Sequence, residues 1–309
     1  MPNYRIGIVG AGAIGCYYGG RLAERGRDVH FLMRSDYEHV KKRGLKVKSK
    51  QGNFHLQGVN AYRSSEEIGP CDVVFVSLKA TANEHREALI APLLKKDTAI
   101  VILENGLGGD EELAALFGPE RVVGGLCFVC LNRTAPGVIE HSAQGQISLG
   151  EFTKYPLPRT HEIAWELKRC GVPCTVVEDL QRERWKKLVW NIPFNGLSIA
   201  AGGIDTQQIL SDPSLETLVR KLMYEVIDAA RALGHDLPVT LVDDMVSRTK
   251  AMGGYKPSSL IDFLAGREVE VEAIWGEPYR RASNAGAQTG RMEALYYLIR
   301  HATTHKTFP

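Results

Sequence analysis

Along the first half of the chain, short apolar runs alternate with amphipathic stretches. "YRIGIVG" is a strand pattern, and "AIGCYYGGRLAERG" is a helix pattern closed by Gly26. "DVHFLMR" follows as a second strand, then a short helix over "SDYEHVKKRG" with Ser35 as N-cap and Gly44 at its end. "LKVKSKQGNFHLQG" reads as a hairpin around Gln51-Gly52-Asn53. "CDVVFVSLK" is a buried strand followed by a helix over 81–95, and "TAIVILENG" another strand followed by a helix over 109–116. "VVGGLCFVCL" and "QISLGE" continue the sheet, and a helix over 161–169 with the strand "PCTVVED" ends the pattern. Strands alternating with helices imply parallel βαβ units. After about residue 180 the period becomes helical throughout, over 182–200, 213–234, 238–250 and 268–300. The pattern predicts a doubly wound α/β domain over 1–178 and an all-helical domain over 179–309.

"GIVGAGAIGCYYGGRL" places Gly10-x-Gly12-x-x-Gly15 directly after a strand and at a helix start. Gly10 permits the tight turn, Gly12 lets the backbone approach a pyrophosphate, and Gly15 lets helix and strand pack closely. With Ala11, Ala13 and Ile14 they offer backbone N–H groups to phosphate oxygens at the helix N-terminus. The first domain is therefore read as a Rossmann-type dinucleotide-binding unit. The second strand ends on Met33 and Arg34 rather than on the carboxylate that accepts ribose hydroxyls in NAD binders. A guanidinium binds a 2′-phosphate that a carboxylate would repel, which favours NADP(H). Asp36, two residues on, leaves NAD(H) open as the alternative. Lys79 and Glu104-Asn105-Gly106 end two further strands, where ligands of open α/β sheets sit.

"ERWKKLVWNIPFNG" carries Lys187, Asn191 and Asn195 at four-residue spacing inside an apolar helix. The three stack along one face. A buried amide or ammonium left without partners costs several kcal/mol, so this stripe asks for a ligand or for water. Pro193 removes one backbone hydrogen bond and leaves a carbonyl free to meet a ligand. Ser258 precedes a short apolar segment containing Asp262, and Glu270 opens the long last helical stretch. An acidic residue in a first helical turn has an ordinary electrostatic reason to be there.

Composition adds boundaries. A net charge of +2 with both signs scattered does not point to nucleic acid or an anionic membrane. No apolar run reaches membrane-spanning length, and the strand pattern by Tyr4 leaves no room for a signal peptide, so a cytoplasmic protein is expected. Cys127 and Cys130 form a CxxC. In a regular strand they face opposite sides, so buried reduced thiols are a better reading than a metal site for all six cysteines.

Taken together, "IGIVGAGAIGCYYGGRL", "SLKA", "ENG", "GVIEHSAQGQISLGE", "RWKKLVWNIPFNGLSIA" and "KPSSLIDFLAGREVEVEAIWG" resemble the ketopantoate reductase family, in the family's order from residue 5 to about 281. The resemblance implies a helical second domain of the 6-phosphogluconate-dehydrogenase-like kind. It implies NADPH-dependent reduction of 2-dehydropantoate to (R)-pantoate, towards pantothenate and coenzyme A, without metal. It places Lys187 on the catalytic lysine, Glu270 on the acidic residue paired with it, and Asn191 and Asn195 on substrate-binding asparagines. Ser258 matches the serine that contacts the substrate carboxylate, Lys79 and Asn105 match cofactor-side positions, and Arg34 the 2′-phosphate arginine. A small 2-oxo acid and a second copy of the chain are the expected partners. Two departures are visible. Glu104 stands where the family commonly has Gln, bringing a negative charge near the cofactor, and residues 258–262 read Ser-Ser-Leu-Ile-Asp instead of Ser-Met-Leu-Gln-Asp. They leave open a reductase of another 2-oxo acid. A nucleotide sensor without turnover is a separate alternative, against which the intact Lys187, Asn191, Asn195, Ser258 and Glu270 stand, and Arg34 argues against a third option, an FAD-dependent oxidase.

Overall fold

The computed structural model of the protein describes residues 4–79, 85–153 and 155–305. The chain separates into two compact units, one of residues 1–104 and 109–180, the other of 105–108 and 181–309. The four residues 105–108, in the turn after "ILE", thus group with the helical unit, which the sequence pattern did not indicate.

In the first unit, β1 (Arg5–Val9) leads through the glycine turn into α1 (Ala13–Glu24), β2 (Asp28–Leu32) and α2 (Tyr37–Arg43). Then come β3 (Leu45–Ser49), β4 (Phe54–Leu56), β5 (Ala61–Tyr62), α3 (Ser65–Ile68) and β6 (Val73–Val76). The helix expected over 81–95 begins outside the described residues; within them, Arg86–Ile90 form α4 and Ala91–Leu93 a 3-10 turn. β7 (Ala99–Ile102), α5 (Gly109–Phe117), β8 (Val122–Ala135), β9 (Val138–Glu151), α6 (Pro158–Arg169) and β10 (Cys174–Val176) complete the unit. The strands order β4-β3-β9-β8-β7-β6-β1-β2-β5, with β10 beside β9. β1 pairs in parallel with both β2 and β6, so the strand order reverses direction at the glycine turn. That reversal is where a doubly wound sheet opens a crevice for ligands. β6 and β7 are buried along their whole length, as parallel strands covered on both faces must be.

The sequence pattern missed one large feature. β8 and β9 are antiparallel strands of 14 residues each, rather than one more parallel pair. The far part of β9 pairs in parallel with β3 from Val138 to His141. The register slips between Phe128 and Val129 and again between Cys130 and Leu131. Such bulges break the two-residue alternation, and Cys127 and Cys130 are both buried. All six cysteines are buried thiols. Burial pushes Cys16 and Cys174 up to about 12 and Cys71 up to about 11. Among the described residues no three His, Cys, Asp or Glu side chains group as a metal ion would need.

The helical unit is built on α7 (Leu180–Ala200), followed by α8 (Thr206–Ser211), α9 (Pro213–Ala232), α10 (Leu241–Met252) and α11 (Ser258–Leu264). A π-helical turn at Glu272–Gly276 runs into α12 (Glu277–Asn284), and α13 (Gly290–His305) ends the fold. The single long helix expected over 268–300 is therefore broken. Gly286 takes φ +79°, and Ala287 N bonds Ala282 O at 3.0 Å, the wrap that ends a helix at a left-handed glycine. α7 is the core of the unit: Leu188, Val189, Ile192, Phe194, Leu197 and Ile199 are all buried. Among the described residues no helix is long and apolar enough to cross a membrane.

Glu104 does not carry a bare charge. Arg86, fully buried, pairs with it and with Glu112, the latter at 2.5 Å. Removing one partner of a buried ion pair strands the other charge at a cost of about 3–5 kcal/mol. Arg86→Met should accordingly lower the thermal midpoint of the first unit by several degrees, measured by calorimetry. A second expectation concerns pH. Burial holds His30 and His141 below the ordinary imidazole value, so both fold in the neutral form. The unfolded chain takes up those protons first, from about pH 6.5 downward. Stability is then lost as pH falls from about 6.5 to the lower folded-state values. Urea midpoints at pH 7.5 and 5.5 should differ in that sense, and His141→Gln should shrink the difference.

Candidate active site

The glycine turn has three different packing environments. Gly10 takes φ +93°, and a Cβ there would meet the Ser77 carbonyl carbon at 2.6 Å, so only glycine fits. A Cβ at Gly15 would meet Gly10 O at 2.5 Å and Ser77 Oγ at 2.6 Å. At Gly12 it would point into open space. Gly12 is the N-cap of α1 and supplies no side-chain acceptor. The first-turn N–H groups at Ala13, Ile14 and Gly15 thus face an open approach with no acidic side chain beside them. The cradle fits a pyrophosphate. Ser77 backs it, with Oγ donating to Gly10 O at 2.7 Å, and Lys79 stands two residues later, half-buried.

At the end of β2, Arg34 is exposed, and its guanidinium has no partner among the described residues. The alternative acceptor of ribose hydroxyls, Asp36, is buried and already engaged. Its Oδ1 accepts from Arg133 Nη1 at 2.8 Å and from Ser35 Oγ at 3.1 Å, and its Oδ2 accepts from Gly137 N at 3.0 Å. Asp36, not Ser35, occupies the N-cap position of α2. This use of Asp36 was hidden in the sequence, because Arg133 and Gly137 lie about a hundred residues away.

In the helical unit, the polar stripe of α7 is real and its members have different surroundings. Lys187 is half-buried, and its Nζ donates to Asn105 Oδ1 at 2.8 Å. The next two residues of the chain hold Asn105 in place. Gly106 takes φ +82° where a Cβ would strike the Ala273 carbonyl, and Leu107 N bonds Ala273 O at 2.9 Å. The Asn105–Leu107 turn is thereby docked on the π-helical turn. Asn191 is 8% exposed. Asn195 is 1% exposed, and its Oδ1 accepts from Ser259 N at 3.0 Å. It therefore caps α11 from outside, holding the turn that presents Ser258 on the surface. Pro193 lies inside α7 and has no N–H for the Val189 carbonyl. The neighbouring Ile192 carbonyl receives the Trp275 indole N–H at 3.0 Å.

Glu270 does not open a long helix. It is half-buried just ahead of the π-helical turn, and its main-chain carbonyl accepts from Ile274 N at 3.1 Å. Single π-helical turns of this kind are frequent at functional sites. The structure brings together Lys187 with Asn105, Asn195 with the start of α11, and Ala273 with the Asn105–Leu107 turn. Sequence reasoning missed Ala273 and Trp275, which anchor these pieces; both are apolar positions that read as ordinary helix core.

Residues 6–154 match the family description "Ketopantoate reductase PanE/ApbA", and residues 179–303 match "Ketopantoate reductase PanE/ApbA C terminal". A 2-dehydropantoate 2-reductase of Nostoc sp. is 40% identical, over 97% of this chain and 95% of its own length. The crystal structure of a 2-dehydropantoate 2-reductase from Geobacter metallireducens is 47% identical with a TM-score of 0.95, covering 97% of this chain and 100% of that one. A 2-dehydropantoate 2-reductase from Methylococcus capsulatus superposes with a TM-score of 0.90 at 35% identity, covering 98% of both chains. With both halves of the fold matched and relatives aligned over nearly their whole length, the chain belongs to the ketopantoate reductase family.

Proposed function

We propose that this protein reduces 2-dehydropantoate to (R)-pantoate with NADPH, through Lys187 as the acid and with Asn191, Asn195 and Ser258 as the substrate's polar partners. The observation that carries the reading is the α7 stripe. Asn191 is buried on that face and carries an amide that can bond a polar ligand. Beside it on the same face stands an ammonium already oriented by Asn105. A 2-oxo acid brings the complementary groups: a carboxylate, a ketone oxygen and, in 2-dehydropantoate, a hydroxyl.

A bound nicotinamide supplies the hydride. As the ketone carbon is reduced, negative charge grows on its oxygen. The Lys187 ammonium stabilises that charge and then delivers a proton from Nζ, so the product is a neutral alcohol. Asn105 takes one of the three N–H bonds of the ammonium and fixes the lysine's direction. Asn191 and Asn195 offer amide N–H groups, and Ser258 a hydroxyl, that orient the substrate. Glu270 is the acidic partner that orients the lysine or holds the substrate hydroxyl.

NADPH rather than NADH is the donor in this reading. Arg34 is exposed where a 2′-phosphate would need a cation, and Asp36 is engaged with Arg133 and Gly137 instead of facing a ribose. Lys79 belongs to the same cofactor side, behind the glycine cradle. The reading also carries a cytoplasmic location and a homodimer, which light scattering of the purified protein would test.

The deciding measurement is oxidation of NADPH at 340 nm with 2-dehydropantoate, pyruvate and 2-oxoisovalerate in parallel, beside an NADH control. Turnover selective for 2-dehydropantoate and NADPH is expected; turnover with another 2-oxo acid alone would move the substrate assignment. Lys187→Ala should lower kcat by about 100-fold or more, the range of a general acid and a charge-stabilising donor, while NADPH binding by fluorescence stays unchanged. Asn191→Ala should act mainly on KM.

A further inference from the structure

The tip of the β8–β9 hairpin brings a second guanidinium to the end of β2. Arg133, at the far end of β8, donates from Nη1 to Asp36 Oδ1 at 2.8 Å and to Ser35 Oγ at 3.2 Å. Its side chain is 44% exposed, whereas that of Asp36 is 6% exposed. The pair is therefore one-sided: the carboxylate is enclosed and the guanidinium looks outward. Nε and Nη2 of Arg133 have no partner among the described residues.

Two further contacts locate this group. Ser35 directly follows Arg34, so the two arginines flank one hydroxyl. Cys16 directly follows Gly15 of the cradle, bonds Ala11 O at 3.2 Å, and lies close enough to Asp36 and Arg133 to feel both charges. Arg133 thus stands beside the residues that follow β2. In a dinucleotide-binding sheet that is the adenosine ribose position.

We propose that Arg133, with Ser35 and Arg34, forms the site for the adenosine 2′-phosphate and that Arg133 is a determinant of NADP(H) specificity. The proposal rests on the NADPH reading and deepens it. The outward edge of the guanidinium offers Nε–H and Nη2–H side by side, the fork that matches two phosphate oxygens. Ser35 Oγ accepts from Arg133 Nη1 and donates to Asp36 Oδ1, which fixes the direction in which the free edge of the guanidinium points. A 2′-phosphate carries about −1.5 to −2 charges at neutral pH. Two arginines against one enclosed carboxylate leave a net positive site for it. The same ion pair removes Asp36 as a ribose acceptor, so one contact both builds the phosphate site and cancels the NAD-type one.

The test uses the full-length protein and equilibrium titrations of NADPH and NADH fluorescence, with 2′,5′-ADP and 5′-AMP followed by calorimetry. Arg133→Met should weaken NADPH and 2′,5′-ADP by about 10-fold or more, the worth of a charge-assisted pair, and leave NADH and 5′-AMP within about two-fold. Because Arg133→Met strands a buried carboxylate, the double variant Arg133→Met with Asp36→Asn is measured beside it and should show the same selective loss. Equal weakening of NADPH and NADH would mean that Arg133 only props the loop, and overturns the proposal. Unchanged NADPH affinity overturns it as well, with the NADPH reading intact if the wild type still prefers NADPH. A wild type that binds NADH as tightly as NADPH overturns both.

Discussion

The hydrogen bond from Lys187 to Asn105 is the interaction on which the helical unit's candidate chemistry depends. A lysine side chain has four rotatable bonds and loses up to about 2 kcal/mol of rotamer freedom when held. Here the cost is shared across a chain of contacts. Asn105 precedes a glycine with no clearance, the next N–H is bonded to the Ala273 carbonyl, and two residues further on Trp275 is bonded to the backbone of α7, the helix that carries Lys187. The loop closes on itself. Each member is fixed by another, and the ammonium is left with a defined direction rather than a sweep of rotamers.

A similar economy governs charge in the sheet unit. Two carboxylates stand near strand ends that face ligands in folds of this kind, Glu104 after β7 and Asp36 after β2. Neither is left to act on its surroundings alone. Arg86 takes the first in the interior, and Arg133 takes the second from the hairpin tip. A sheet whose ligand is polyanionic gains from this arrangement, because a free carboxylate at either place would repel phosphate over several ångströms. The Glu104 that departs from the family's common Gln is thus tolerated through a cation supplied from a different helix.

Much of this was legible from local pattern. The glycine turn, its strand and its helix are contiguous, so spacing alone carries their geometry. The stripe of Lys187, Asn191 and Asn195 comes from the helical period, and the roles assigned to it were matched from related motifs. What stayed hidden involved partners distant in sequence. Nothing near Asp36 reveals Gly137 and Arg133, nothing near Glu104 reveals Arg86, and a hydrophilic-looking "NRTAPGVIEHSAQG" does not announce strands of 14 residues. The break at Gly286 was readable in principle, since "SNAGAQTG" offers small and left-handed residues after a helical run. The π-helical turn was not, because "EAIWG" has ordinary helical periodicity and the contacts of Ala273 and Trp275 are with residues distant in sequence.

The six cysteines have a practical bearing on how this molecule can be watched. All fall between positions 16 and 174, inside the sheet unit, and none is on the surface. Burial keeps Cys16, Cys71 and Cys174 as thiols far above neutral pH, so a thiolate-seeking reagent finds little to attack while the unit is closed. Labelling therefore proceeds only through opening of the sheet, and the helical unit contributes no background. The chain carries its own clock for the breathing of one half of the fold, readable by mass spectrometry without a single added probe.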